Sequence, residues 1–174
     1  MKLLKNFWPI ILLVGIEVIL FIKNYKQSTY LVGWDNVIPE FNIGLNFNRA
    51  FFSDWQDYRG LGHLDGMAHA ANLMHTVYIF LLSIVLPQNL LRYTFILLTH
   101  LAGGIGMYLI LRKLLPKANG QWSMVNGQWS ALLGALFYMF NIGVIQMFYA
   151  PLEVFAFHFA ALPLLALWIK NSLD

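Results

Sequence analysis

Leu91–Leu111 reads LRYTFILLTHLAGGIGMYLIL, with one charged residue, Arg92, near its start and the basic pair Arg112 and Lys113 just past its end. At roughly 1.5 Å of rise per residue, a helix of this length crosses the roughly 30 Å of a bilayer's hydrocarbon. Outward from it lie three more apolar runs of spanning length: about 7–23 at the N-terminus, then 129–149 and 152–170. The expected fold is an all-α membrane protein of about four transmembrane helices. Its spans are 7–23, 91–112, 129–149 and 152–170, and residues 1–174 form one membrane domain.

Composition agrees with this reading. Hydrophobic residues make up 59% of the chain and charged residues 11%, and the mean hydropathy is +0.62, so no single soluble core hides the apolar surface. The net charge of +3 does not point to nucleic acid, because the basic residues stand singly at the ends of apolar runs and build no patch. With no cysteine, disulfides, thiol catalysis and thiolate zinc sites are excluded.

A further run, 70–86, is the ambiguous one. If it spans, most Lys and Arg fall on the non-cytoplasmic side. If it lies in the interface, Lys2, Lys5, Arg112, Lys113, Lys117 and Lys170 all face the cytoplasm, as the positive-inside rule asks. The expectation is therefore a plasma-membrane protein with a cytoplasmic N-terminus. Residues 24–90 then form an extracytoplasmic loop whose interfacial helix, 70–86, ends at Pro87 and carries His69 and His75 at its start. The first run is followed by KNYKQSTYLV, with no small-x-small cleavage site, and reads as an uncleaved anchor. The repeat of Asn119–Ser123 as Asn126–Ser130 reads as a duplicated linker in an inner loop.

Inside the spans, Ala102, Gly103, Gly104 and Gly106, and Ser130, Gly134 and Ala135, read as faces where helices approach closely. Glu17, His100, Asn141 and His158 fall at similar depth and are costly in lipid, so they are expected to face one another, Glu17 with His100 for example.

Chemistry concentrates in the 24–90 loop. Five of the eight acids, Asp35, Glu40, Asp54, Asp57 and Asp65, lie there with Arg49, Arg59, His63 and His69, among many aromatic residues. In GWDNVIPE (Gly33–Glu40), Asp35 follows the first span closely; a partly shielded carboxylate there suits a base towards a hydroxyl, or a cation ligand with Glu40. Asp35 and Asn36 equally suit an Asx turn ahead of Pro39. DWQDYRGLGHLDG (Asp54–Gly66) has the composition of a ligand loop and of an ordinary surface turn. Glu153, at the outer start of the last span, is a third candidate, and also an acid placed to complement a helix dipole.

The order of GWDNVIPE, a helix ending in Leu86–Pro87, HLAGGIGMYLILRKLL (His100–Leu115), SALLGALFYMFN (Ser130–Asn141) and YAPLE (Tyr149–Glu153) resembles the N-terminal part of bacterial GT-C superfamily membrane glycosyltransferases of the YfhO-like kind. The resemblance implies a cell-envelope enzyme that takes a sugar from a polyprenyl-phosphate donor and passes it to an acceptor on the outer face. It places Asp35 at the catalytic centre, with Asn36, Glu40, Asp54, Asp57, Arg59, His63, Arg92 and Glu153 as substrate-binding candidates. The phosphate would meet Arg49, Arg59 or Arg92. Asp35–Asn36 stands where the common pattern has two adjacent acids, which leaves a divalent cation, magnesium or manganese, open. The family is longer than this chain, so the resemblance also implies a missing C-terminal half as a partner. A different reading is a non-catalytic membrane subunit whose aromatic, acidic loop binds a partner or a lipid head group. A transporter would show an inverted repeat, and none is seen.

Overall fold

The computed structural model describes residues 2–31, 42–52, 55–56, 61–64, 73–115, 124–150 and 152–173. It is an all-α membrane protein. Among the described residues the elements are α1 (Lys2–Asn24), α2 (Ile43–Phe52), a short antiparallel pair β1 (Trp55–Gln56) and β2 (His63–Leu64), α3 (Leu73–Ser83), α4 (Gln88–Leu114), α5 (Met124–Phe140), α6 (Ile142–Tyr149) and α7 (Glu153–Leu173). Three of them, α1, α4 and α7, are long and apolar enough to cross a bilayer, and α5 with α6, bent by 49°, is so only as a pair. The 11 residues of α3 reach only about 16 Å, too short to span.

Helix α4 is the centre of the bundle. Half of its spanning window is buried, against 17% for α1 and 22% for α7. Its glycines make this position available. A Cβ on Gly103 would lie 2.2 Å from the Phe159 ring of α7, and one on Gly104 would lie 2.2 Å from Met139 Sδ of α5. From the other side, Leu111 of α4 fills the notch at Gly134 of α5. Close backbone approach replaces the hydrophobic drive that helices lack in lipid. Helix α1 adds one narrow stripe, Pro9, Leu13 and Glu17, spaced four residues apart and buried, while Ile11, Val18, Ile19 and Ile22 remain exposed as a lipid-facing surface.

The two glycines differ in what a larger residue would meet. Phe159 is held in a stack with Tyr138, ring centroids 4.4 Å apart, whereas Met139 has a flexible thioether. Gly103→Val is therefore expected to cost about 1–3 kcal/mol and Gly104→Ala distinctly less, as read from thermal unfolding in detergent.

At two backbone interruptions within the spans, side chains take up freed backbone groups. Pro163 in α7 cannot donate to Phe159 O, and the Tyr138 hydroxyl donates to that carbonyl at 2.8 Å. The run 129–149, expected as one helix, is broken at Asn141, whose side chain accepts from Val144 N–H at 3.1 Å and so starts α6 as a new helix.

Other boundaries also move. The interfacial helix expected at 70–86 is helical over Leu73–Ser83 and turns before Pro87, while 70–72 lie outside the described residues. The expected 24–90 loop contains α2, which packs on α3 with Phe47 and Phe80 edge to face at 5.7 Å. The second copy of the duplicated motif is not a linker but helix. Gln128 of α5 accepts from the Trp8 indole of α1 at 2.8 Å, and Trp129 lies 4.5 Å from that ring. The first copy lies outside the described residues.

Candidate functional site

At the bundle end that carries residues 24–31, one apolar cluster joins α3, α4 and α7 through Ile79, Leu91, Phe95, Ile96 and Ala156, with Leu31 and Ile43 packed against it. Set into this cluster are three buried polar side chains from three helices: His75 of α3, Arg92 of α4 and Glu153, the first residue of α7.

Arg92 Nε lies 2.6 Å from Glu153 Oε1. The Nε–H is not well aligned on that oxygen, so the contact is an ion pair more than a directed hydrogen bond. The same guanidinium donates from Nη1 to Leu31 O at 2.8 Å. Arg92 thus joins the start of α7 to the chain that leaves α1. That chain is fixed along its length: Thr29 Oγ1 meets Tyr93 OH at 3.1 Å, Asn89 donates to Tyr25 OH at 3.2 Å, and the Tyr25 and Tyr93 rings meet edge to face at 5.3 Å. At the N-terminus of α7, Glu153 also complements the helix dipole.

His75 completes the group. Its Nε2 lies 3.9 Å from Glu153 Oε1, beyond hydrogen-bond reach, and its ring meets the Phe95 ring at 4.4 Å. Neither ring nitrogen has a hydrogen-bond partner. Burial, and then the Arg92 charge beside it, lower the His75 pKa to about 4, so it is neutral at pH 7. Among the described residues the cluster holds one guanidinium, one carboxylate and a neutral imidazole, and the ion pair ties α4 to α7.

The unfolded chain protonates His75 near 6.5 and the folded chain near 4, so its contribution to stability is complete above pH 6.5 and is lost as pH falls towards 4. The gap corresponds to roughly 3 kcal/mol. Thermal unfolding followed from pH 7.5 to 4 is expected to show this loss, and His75→Gln is expected to flatten it.

Of the residues expected at a site, Arg92 and Glu153 are brought together. Asp35, Asn36, Glu40, Asp54, Asp57 and Arg59 lie outside the described residues. His63 sits in β2 with its backbone opposite Gln56. Arg49 lies in the last turn of α2. Among the described residues no group of three or more His, Asp or Glu is arranged to hold a metal ion. His75 was legible only as a residue of the α3 start; its membership depends on α3 folding back on α4, for which the sequence carries no marker.

Of the expected intramembrane polar layer, Glu17 Oε2 and His100 Nδ1 do meet, at 3.0 Å and buried. Asn141 is instead a helix cap, and His158 lies on an exposed face of α7.

No protein-family model, no curated protein and no solved structure matches the chain.

Proposed function

We propose that the chain is the N-terminal membrane part of a GT-C-type glycosyltransferase of the plasma membrane, taking a sugar from a polyprenyl-phosphate donor to an acceptor on the outer face. The N-terminus is cytoplasmic in this reading and the 24–90 segment faces outward, as the Lys and Arg distribution favours.

The observation that carries the reading is the anchoring of Leu31 by the buried Arg92–Glu153 pair. Leu31 precedes Asp35 by four residues, and four residues of chain extend no further than about 14 Å. The acidic stretch with the proposed catalytic carboxylate therefore begins from a fixed point at the bundle end. In this role Arg92 and Glu153 act as positioning residues, since the guanidinium that holds Leu31 O is paired with the carboxylate at the start of α7. Asp35 acts as the base towards the acceptor hydroxyl, or as a carboxylate that holds a divalent cation; Asn36, Glu40, Asp54, Asp57, Arg59 and His63 supply polar contacts to donor and acceptor.

The test is binding of a polyprenyl phosphate to the chain in nanodiscs, beside the uncharged polyprenol. Saturable binding at least tenfold tighter for the phosphate is expected; equal binding of the two contradicts the reading.

A second reading has its own support. Phe51 and Phe52 of α2 are 59% and 80% exposed, an aromatic surface suited to a lipid head-group region or a partner helix. A non-catalytic binding subunit would bind through this face and lose affinity in Phe52→Ser while Asp35→Ala leaves it unchanged.

A further inference from the structure

The break at Asn141 leaves carbonyls that a continuous helix would satisfy. Across it, Asn141 N–H still donates to Phe137 O at 3.0 Å, and the Asn141 side-chain amide donates to Tyr138 O at 3.0 Å. Met139 O, whose partner in a continuous helix would be Gly143 N–H, is taken by His100 Nε2 of α4 at 3.2 Å. A carbonyl only accepts, so Nε2 is the donor of this bond. The other ring nitrogen, Nδ1, meets Glu17 Oε2 of α1 at 3.0 Å, so the ring is held from both sides. The ring is enclosed by Phe140, Phe148 and Phe159, at 5.5, 4.6 and 5.7 Å.

Contacts run on from the break to the cluster at the bundle end. Phe148 of α6 packs against both apolar clusters. Leu152 N–H donates to Met147 O at 3.2 Å, tying the end of α6 to the start of α7, where Glu153 sits on Arg92. His100 and Arg92 belong to the same helix, about 12 Å apart along its axis.

We infer that His100, with Asn141, holds this span in its broken form, and that through α6 it positions Glu153 over Arg92. Without the His100 donor, the cheapest repair for Met139 O is its own Gly143 N–H, which straightens the span. The broken span is thus an element with two arrangements, biased by one buried imidazole.

The chain has no cysteine, so two introduced cysteines can be spin-labelled cleanly. Ile22→Cys on α1 and Tyr149→Cys on α6 occupy exposed positions. In nanodiscs, His100→Leu is expected to shift the distance between the labels by several ångström. Its upper limit is about 9 Å, the sideways travel of an eight-residue helix swung through 49°. A folded His100→Leu protein with the wild-type distance overturns the inference. If that variant does not fold, Asn141→Ala decides, since it removes the cap and leaves His100 in place. A shift in the Asn141→Ala distance supports the two-arrangement span, and an unchanged distance overturns it.

Discussion

Glu153→Leu is expected to cost roughly 3–5 kcal/mol of stability, because the buried Arg92 guanidinium loses the carboxylate 2.6 Å from it. Arg92→Met is expected to cost a similar amount, since buried Glu153 loses that guanidinium and Leu31 O loses its donor. The two losses are not additive. In Arg92→Met/Glu153→Leu neither member of the pair is left without the other, and two apolar side chains join the cluster around Ile79, Phe95 and Ala156. The double variant is expected to regain most of the lost stability, as replaced buried pairs often do. Unfolding of the four proteins in detergent, completed as a double-mutant cycle, checks this. Single losses below about 1 kcal/mol would show a pair worth no more than one on a solvated surface.

Several features of the fold were legible because they are local in sequence. Apolar length alone marked α1, α4 and α7, since a bilayer of fixed thickness asks for runs of about this length. The glycines of α4 could be read as a packing face, and they meet Phe159 and Met139. Equal depth suggested Glu17 with His100, and depth is simple arithmetic on helical rise.

What failed to show in sequence depends on relations between distant segments, or on a competition within one residue. Ser130–Tyr149 is apolar apart from Ser130, Asn141 and Gln146, and Asn141 was read by its depth alone. Asn141 ends α5 because its side chain offers both a donor for Tyr138 O and an acceptor for Val144 N–H, which a depth argument does not weigh. The Arg92–Glu153 pair spans some 60 residues of chain and forms only once α7 packs on α4. Each residue was a candidate separately, but their ion pair appears only in three dimensions. The aromatic residues of 43–52 announced a folded surface without announcing a helix.

Asp35→Asn carries the largest expected functional effect. In the proposed reaction Asp35 removes the acceptor proton or holds the cation, a contribution of about 10²–10⁴ in rate for a positioned acid or base. Asparagine keeps the shape and the turn-forming capacity of aspartate while losing both the base and the charge. Stability and polyprenyl-phosphate binding are therefore expected to stay near wild type while transfer falls, which separates catalysis from folding.

The most direct measurement is sugar transfer from a polyprenyl-phosphate-linked donor by the full-length gene product in nanodiscs, wild type beside Asp35→Asn, with donor binding followed in parallel. Transfer by the wild type, a fall of at least a hundredfold in Asp35→Asn, and binding unchanged within about threefold are expected. Transfer at the same rate in both proteins, or no transfer by a wild type that binds the donor, would contradict the glycosyltransferase reading.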